Sequence, residues 1–192
     1  MNEKLKKFIK NEPLFSVAEA EKNGIQRSLL AYYCKKGEIE KLGRGLYKVA
    51  GKELDIPIQW EDLLYAYKKV PNSTVCLLSA LAIYNMTDEF TKKHWLAIDH
   101  SRYAAKKQGI KIIRLRNTKL GKTSMNLGKY KISIFDRERT VIDAFRFLSV
   151  EVAIKAIQAY FKSGMRPDYH KLSDYAQKLH VDIAPYVLTL TT

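Results

Sequence analysis

A chain of 192 residues that is 46% apolar and 11% aromatic can bury a real core, which excludes a disordered tail. Its 34 Lys/Arg against 20 Asp/Glu give a net charge of +14, which points to a polyanionic partner such as DNA or RNA. No apolar run approaches the roughly 18 residues of a membrane span, "MNEKLKKFIKNEP" has no secretory apolar stretch, and two cysteines in unrelated contexts, Cys34 and Cys76, fit a reducing cytoplasm and small buried roles, not a disulfide scaffold.

"NEKLKKFIK" predicts a short amphipathic helix with Leu5, Phe8 and Ile9 on one side. "SVAEAEKNG" predicts a second, with Ser16 as N-cap, Glu19 completing a capping box and Gly24 as the stop. "QRSLLAYYCKKG" predicts a third, closed by Gly37, and a β-hairpin over Ile39–Val49 follows. Three helices and a hairpin within residues 1–50 is the order of a winged helix-turn-helix.

On a helical wheel of the third helix, Leu29, Leu30, Tyr33 and Cys34 cluster on one side and Arg27, Ser28, Ala31, Tyr32 and Lys35 on the other. The second face suits a major groove. Arg27 and Ser28 stand at the N-terminal end, where recognition helices meet base edges, Ala31 permits close approach, and Tyr32 and Lys35 suit phosphates. In the hairpin, a three-residue loop Gly43-Arg44-Gly45 sets Leu42 opposite Leu46, Lys41 opposite Tyr47, Glu40 opposite Lys48 and Ile39 opposite Val49. A two-residue loop Arg44-Gly45 would set Lys41 against Lys48, an unfavourable pair of like charges, so the three-residue loop is expected. Arg44 is then the wing tip, with Gly45 as a bulge glycine, and Lys41 joins the candidate DNA contacts.

"GKELDIP" predicts a linker and "IQWEDLLYAYKKV" a bridging helix, so that residues 51–70 lead into a second domain over 71–192. There, "STVCLLSALAIYNM" predicts an apolar helix. "HWLAID", "IKIIRL" and "KYKISIF" predict strands. "RTVIDAFRFL", "VEVAIKAIQAYFKSG" and "PDYHKLSDYAQKL" predict helices. The fold class is α+β: an N-terminal winged helix-turn-helix, then a larger α+β domain with a small sheet and C-terminal helices.

The charge is concentrated. Residues 91–139 carry 14 Lys/Arg against 3 Asp/Glu, whereas 52–90 carry 3 against 6. In "IKIIRLRN", Ile112, Arg114 and Arg116 share one strand face. Lys106, Lys107, Lys111, Arg114, Arg116 and Lys119 are a candidate second polyanion surface, for DNA or RNA; the plainer reading is a solvated sheet face. "GKTS" at 121–124 lacks the first glycine of a phosphate loop, since position 116 is Arg116. His94 and Asp99 fall on opposite faces of a strand, and "IKIIRLR" offers no acidic partner for a nuclease. No catalytic, metal or cofactor site is expected.

"GIQRSLLAYYCKKGEIEKLGRGLYKV", "CLLSALAIYNMTDE", "FDRERTVIDAFRF" and "VAIKAIQAYFKSG", in this order, resemble the AbiEi-family antitoxins of type IV abortive-infection toxin–antitoxin systems. The resemblance implies a winged helix that binds inverted repeats in the operon's own promoter as an autorepressor. It also implies a C-terminal domain that counteracts a nucleotidyltransferase-like toxin, with direct contact left open. Carried over, the DNA role falls on Arg27, Ser28, Tyr32, Lys35 and Arg44. The "DRERT" block with its following turn, Asp136, Arg137, Glu138, Arg139, Asp143 and Arg146, reads either as a capped helix start or as a surface for toxin or RNA. The alternative from another class is a nuclease or RNA-modifying enzyme with a winged-helix targeting domain.

Overall fold

The computed structural model describes residues 2–164 and 166–191, the last three by backbone alone. It is a mixed α+β chain of two compact units, the first running through Pro71 and taking in Leu127–Lys129, the second built from the rest. Among the described residues no helix is long and apolar enough to cross a membrane.

The first unit follows the order α1 (Glu3–Asn11), β1 (Leu14–Ser16), α2 (Val17–Lys22), α3 (Arg27–Lys35), β2 (Ile39–Gly43), β3 (Leu46–Val49). A 3-10 turn at Ile58–Trp60 then opens α4 (Glu61–Lys69). Leu5 and Ile9, one turn apart on α1, are buried with Ala20, Ile25, Leu30 and Tyr33. The capping box of α2 forms as expected: Ser16 accepts the Glu19 N–H, and the Glu19 carboxylate accepts the Ser16 N–H at 2.7 Å. That carboxylate also meets Lys68 of α4 at 2.6 Å.

Sequence periodicity misses β1. It is three residues long and pairs with β3, as Leu14↔Lys48, Phe15↔Tyr47 and Ser16↔Leu46, making a sheet of order β1-β3-β2. Phe15 then sits buried between the Phe8 and Tyr47 rings, at 5.2 and 6.0 Å, and locks the wing to the helices.

The wing keeps Ile39↔Val49, Glu40↔Lys48 and Lys41↔Tyr47, but its tip differs from expectation. Gly43, not Leu42, faces Leu46, and the register slips between Lys41 and Gly43. The turn is therefore Arg44-Gly45, with the irregularity in β2. The bulge absorbs one residue, so a two-residue turn forms without setting Lys41 against Lys48. Gly43 at φ 151° and Gly45 at φ 76° both occupy backbone regions that favour glycine, which accounts for a glycine on each side of Arg44.

The second unit runs β4 (Thr74–Val75), α5 (Leu77–Ile83), β5 (His94–Asp99), β6 (Ile110–Leu115), β7 (Lys122–Leu127), β8 (Tyr130–Phe135), α6 (Arg137–Phe147), α7 (Val150–Lys162), α8 (Tyr169–Lys178) and α9 (Ala184–Thr191). Its sheet has the order β6-β5-β4-β8-β7. The stretch expected as one apolar helix from Ser73 begins instead as β4. Val75 pairs antiparallel with Leu96 and parallel with Ile134, so its backbone is claimed on both sides and the helix starts only at Leu77. Edge strand β7, absent from the strands the sequence predicts, ends with Leu127, and the turn after it leads into β8. Helix α6 packs on α5, α7 and α8 around Val141, Ile142, Ala156, Ile157 and Tyr160, all buried. Cys76 is buried and Cys34 half-buried, both as free thiols.

Candidate nucleic-acid interface

The wheel drawn for α3 holds. Leu30 and Tyr33 are buried, Leu29 and Cys34 half-buried, and Arg27, Ser28, Ala31, Tyr32 and Lys35 exposed. The buried edge is fixed by Tyr33, whose hydroxyl accepts the Asn2 N–H at 2.6 Å, so α1 and α3 are tied at their ends. The exposed face carries internal contacts that sequence alone does not reveal. Arg27 donates through Nε to Glu21 of α2 at 2.7 Å, and its Nη2 reaches the other carboxylate oxygen at 3.4 Å. Lys36 places its ammonium 4.9 Å from the centre of the Tyr32 ring. The helix face thus presents an arginine paired with Glu21, a hydroxyl, a methyl and a ring backed by a cation. Such a face can hydrogen-bond base edges and phosphates. Arg44 stands exposed in the wing turn, and Lys41 is exposed two residues before Gly43, where the register slips; the bulge lies there and not at Gly45.

In the second unit, four members of the candidate polyanion surface come together. Lys106, Lys107, Lys111 and Arg114 line one groove of about 800 Å³. One wall is edge strand β6 and the other is the loop from His100 to Gly109. The loop is anchored at both ends, since the His100 N–H donates to the Leu115 carbonyl at 2.9 Å and the Gly109 carbonyl accepts the His94 N–H at 2.8 Å. Arg114 donates to the His100 carbonyl through Nε at 3.0 Å and through Nη2. Arg116 and Lys119 are exposed but do not line the groove, because β6 ends at Leu115, before Arg116. Sequence reading missed Lys93, Trp95 and Tyr103 in this groove. The available signal was an aromatic residue within the basic loop "SRYAAKKQ".

The "DRERT" block is largely inside. Asp136 caps α6 by accepting the Arg139 N–H at 2.8 Å. Arg139 is fully buried, donating to Asp143 (2.8 Å) and to the carbonyls of Leu120 (2.9 Å) and Asn117 (3.1 Å). Arg146 closes on the other oxygen of Asp143 at 2.7 Å. Glu138 accepts from the Tyr160 hydroxyl at 2.8 Å, and Lys171 of α8 bridges Glu138 (2.9 Å) and Asp136 (3.1 Å). Burial opposes the charge on Lys171, but these two carboxylates raise its pKa nonetheless. Burial and Asp136 push the Tyr175 hydroxyl up to about 12. Arg137 lies over the Tyr160 ring and donates to the Tyr160 carbonyl and to Ser163. The block therefore fastens α6 to α7, to α8 and to the loop before β7. The glycine of "GKTS" belongs to the same construction: a Cβ at Gly121 would fall 2.5 Å from the Arg139 Cβ.

Asp99 is spent on a turn. It accepts the Ser101 N–H (2.9 Å) and hydroxyl (2.6 Å), which hold its carboxyl below the usual range. Among the described residues no group of three or more His, Cys, Asp or Glu stands close enough together to hold a metal ion.

Residues 3–50 match the model of a family described as transcriptional regulator, AbiEi antitoxin. The matched stretch is α1 through β3 and one residue beyond, the three helices and the wing just described. No curated protein matches the chain. The family match supports a regulatory, antitoxin role for a protein carrying this unit.

Proposed function

We propose that this protein is the antitoxin and transcriptional autorepressor of a bicistronic, type IV abortive-infection operon, acting in the cytoplasm without catalysis of its own. Residues 1–50 are the winged helix-turn-helix, 51–70 the linker and bridging helix, and 71–192 the antitoxin domain. The winged helix binds inverted repeats in the operon's promoter as two copies. Arg27 and Ser28 read base edges, Ala31 allows the close approach, and Tyr32, Lys35 and Lys41 hold phosphates. Arg44 enters the minor groove or grips its phosphates. The second domain counteracts a nucleotidyltransferase-like toxin from the neighbouring gene.

The observation that carries this reading is that the family-matched stretch exposes the polar and cationic face of α3 while burying the opposite one. Burial of Arg139 and Asp143 leaves Arg146, and the half-buried Arg137, as the members of the "DRERT" region best placed to meet a partner. The test is nuclease footprinting of the DNA upstream of the protein's own gene, beside co-expression with the neighbouring gene. Protection of two symmetric half-sites, with rescue of growth, is expected. Uniform protection without half-sites contradicts the operator reading, and absent rescue contradicts the antitoxin reading.

A further inference from the structure

We infer that the groove between β6 and the His100–Gly109 loop binds a single-stranded segment of nucleic acid, its phosphates on the groove's cations and a base on Tyr103. Five lining side chains are cationic, namely Lys93, Lys106, Lys107, Lys111 and Arg114, and no lining residue is Asp or Glu. Such a lining favours a polyanion. Two of these cations are held in place. Lys111 sets its ammonium 3.8 Å from the centre of the buried Trp95 ring, and Arg114 is held by the His100 carbonyl. A guanidinium already fixed by one acceptor loses less freedom when it takes a phosphate as well.

Tyr103 chooses between polyanions. The residue is 87% exposed although it lines the groove, so it offers an open ring. Trp95 cannot play that part, because its ring already carries Lys111. A duplex keeps its bases stacked inside, away from such a ring, whereas a single strand exposes every base face. An acidic peptide would use the cations and leave the ring without a stacking partner. Groove and ring belong wholly to the second unit, so the inference deepens the proposed role of the antitoxin domain and rests on that reading, yet it stands apart from promoter binding.

The test uses the full chain and three fluorescent probes: an RNA of about 12 nucleotides, the DNA strand of the same sequence, and the promoter duplex, read by anisotropy across a salt series. Tyr103→Ala is expected to weaken single-strand binding about tenfold and Tyr103→Phe to retain it, because the ring does the work. Lys106→Ala with Lys111→Ala should lower the slope of log K against log salt by about 1.4. The promoter affinity of all three variants should match the wild type. Tighter binding of RNA than of the DNA strand assigns the groove to RNA, and equal binding assigns it to the shared phosphate and base chemistry. Arg27→Ala with Arg44→Ala should lose the promoter and keep the single strand, which separates the two readings. Failure of both single strands to bind, wild-type single-strand affinity in Tyr103→Ala, or an equal loss on the duplex would each overturn the inference.

Discussion

Arg139 and Asp143 form an ion pair one helical turn apart inside the second unit, Nε to Oδ2 at 2.8 Å, with 0% and 1% of their side chains exposed. Neither charge can be solvated where it stands; the other two guanidinium nitrogens of Arg139 donate to the Leu120 and Asn117 carbonyls, and the other oxygen of Asp143 accepts from Arg146. Removing one partner strands the other. Arg139→Ala should therefore destabilise the protein by about 3–5 kcal/mol in urea unfolding. A change near that of a surface substitution would show that the pair is not holding α6 to the loop before β7. Loss of antitoxin activity in this variant would follow from unfolding and would say nothing about a contact.

The Arg27–Glu21 pair makes an opposite kind of prediction. It is exposed, so it contributes little to stability. In the proposed DNA complex, however, Glu21 would compete with base or phosphate for the same guanidinium. Glu21→Gln should tighten promoter binding by about two- to fivefold at low salt while leaving the melting temperature nearly unchanged. Weaker binding in this variant would mean that Glu21 orients Arg27 for its target instead of restraining it.

Gly45 tests the wing geometry. At φ 76° with nothing within 4 Å of a built Cβ, an alanine meets open space but a strained backbone. Gly45→Ala should cost about 1–2 kcal/mol and loosen the Arg44 turn, seen as faster hydrogen exchange at Leu46 and Arg44. An unchanged stability would argue for a different turn.

Glu19 sets a pH dependence. Burial raises its pKa, but the Lys68 ammonium and the Ser16 N–H and hydroxyl outweigh burial and hold it below the usual carboxylate range. The sign follows from the lowered folded-state pKa. The contribution is present above the unfolded value and is lost as pH falls through the folded one. In Glu19→Gln, the fall in stability on acidification should be shallower than in wild type below about pH 4.5, measured by unfolding at stepped pH. Identical acid limbs would remove Glu19 from the account.

The helices and wing were legible because their signals are local. A capping box spans four residues, a helical face repeats within eleven, and cross-strand pairs around Arg44 lie within a dozen. What stayed hidden depends on distant pairing. β1 is three residues that become a strand only against β3, thirty or more residues later. β4 is two residues held by β5 and β8. β7 is mostly exposed and polar, so it shows no alternation. At the wing tip a bulge between Lys41 and Gly43 keeps Lys41 away from Lys48 within a two-residue turn, and such a bulge leaves no mark in the cross-strand pattern of the sequence. Cations at Lys106, Lys111 and Arg114 were legible as a basic run. Their convergence on Tyr103 and Trp95 was not, because a parallel crossover brings β6 beside β5 and folds the intervening loop over that edge.

The central claim is that α3 and the wing hold the protein on its own promoter. The most direct measurement is the dissociation constant of Arg27→Ala with Arg44→Ala for the promoter duplex, taken with its melting temperature. Both residues are exposed, so the fold should survive. The account predicts a loss of about a hundredfold or more with an unchanged melting temperature. Wild-type affinity in that folded double variant would contradict it.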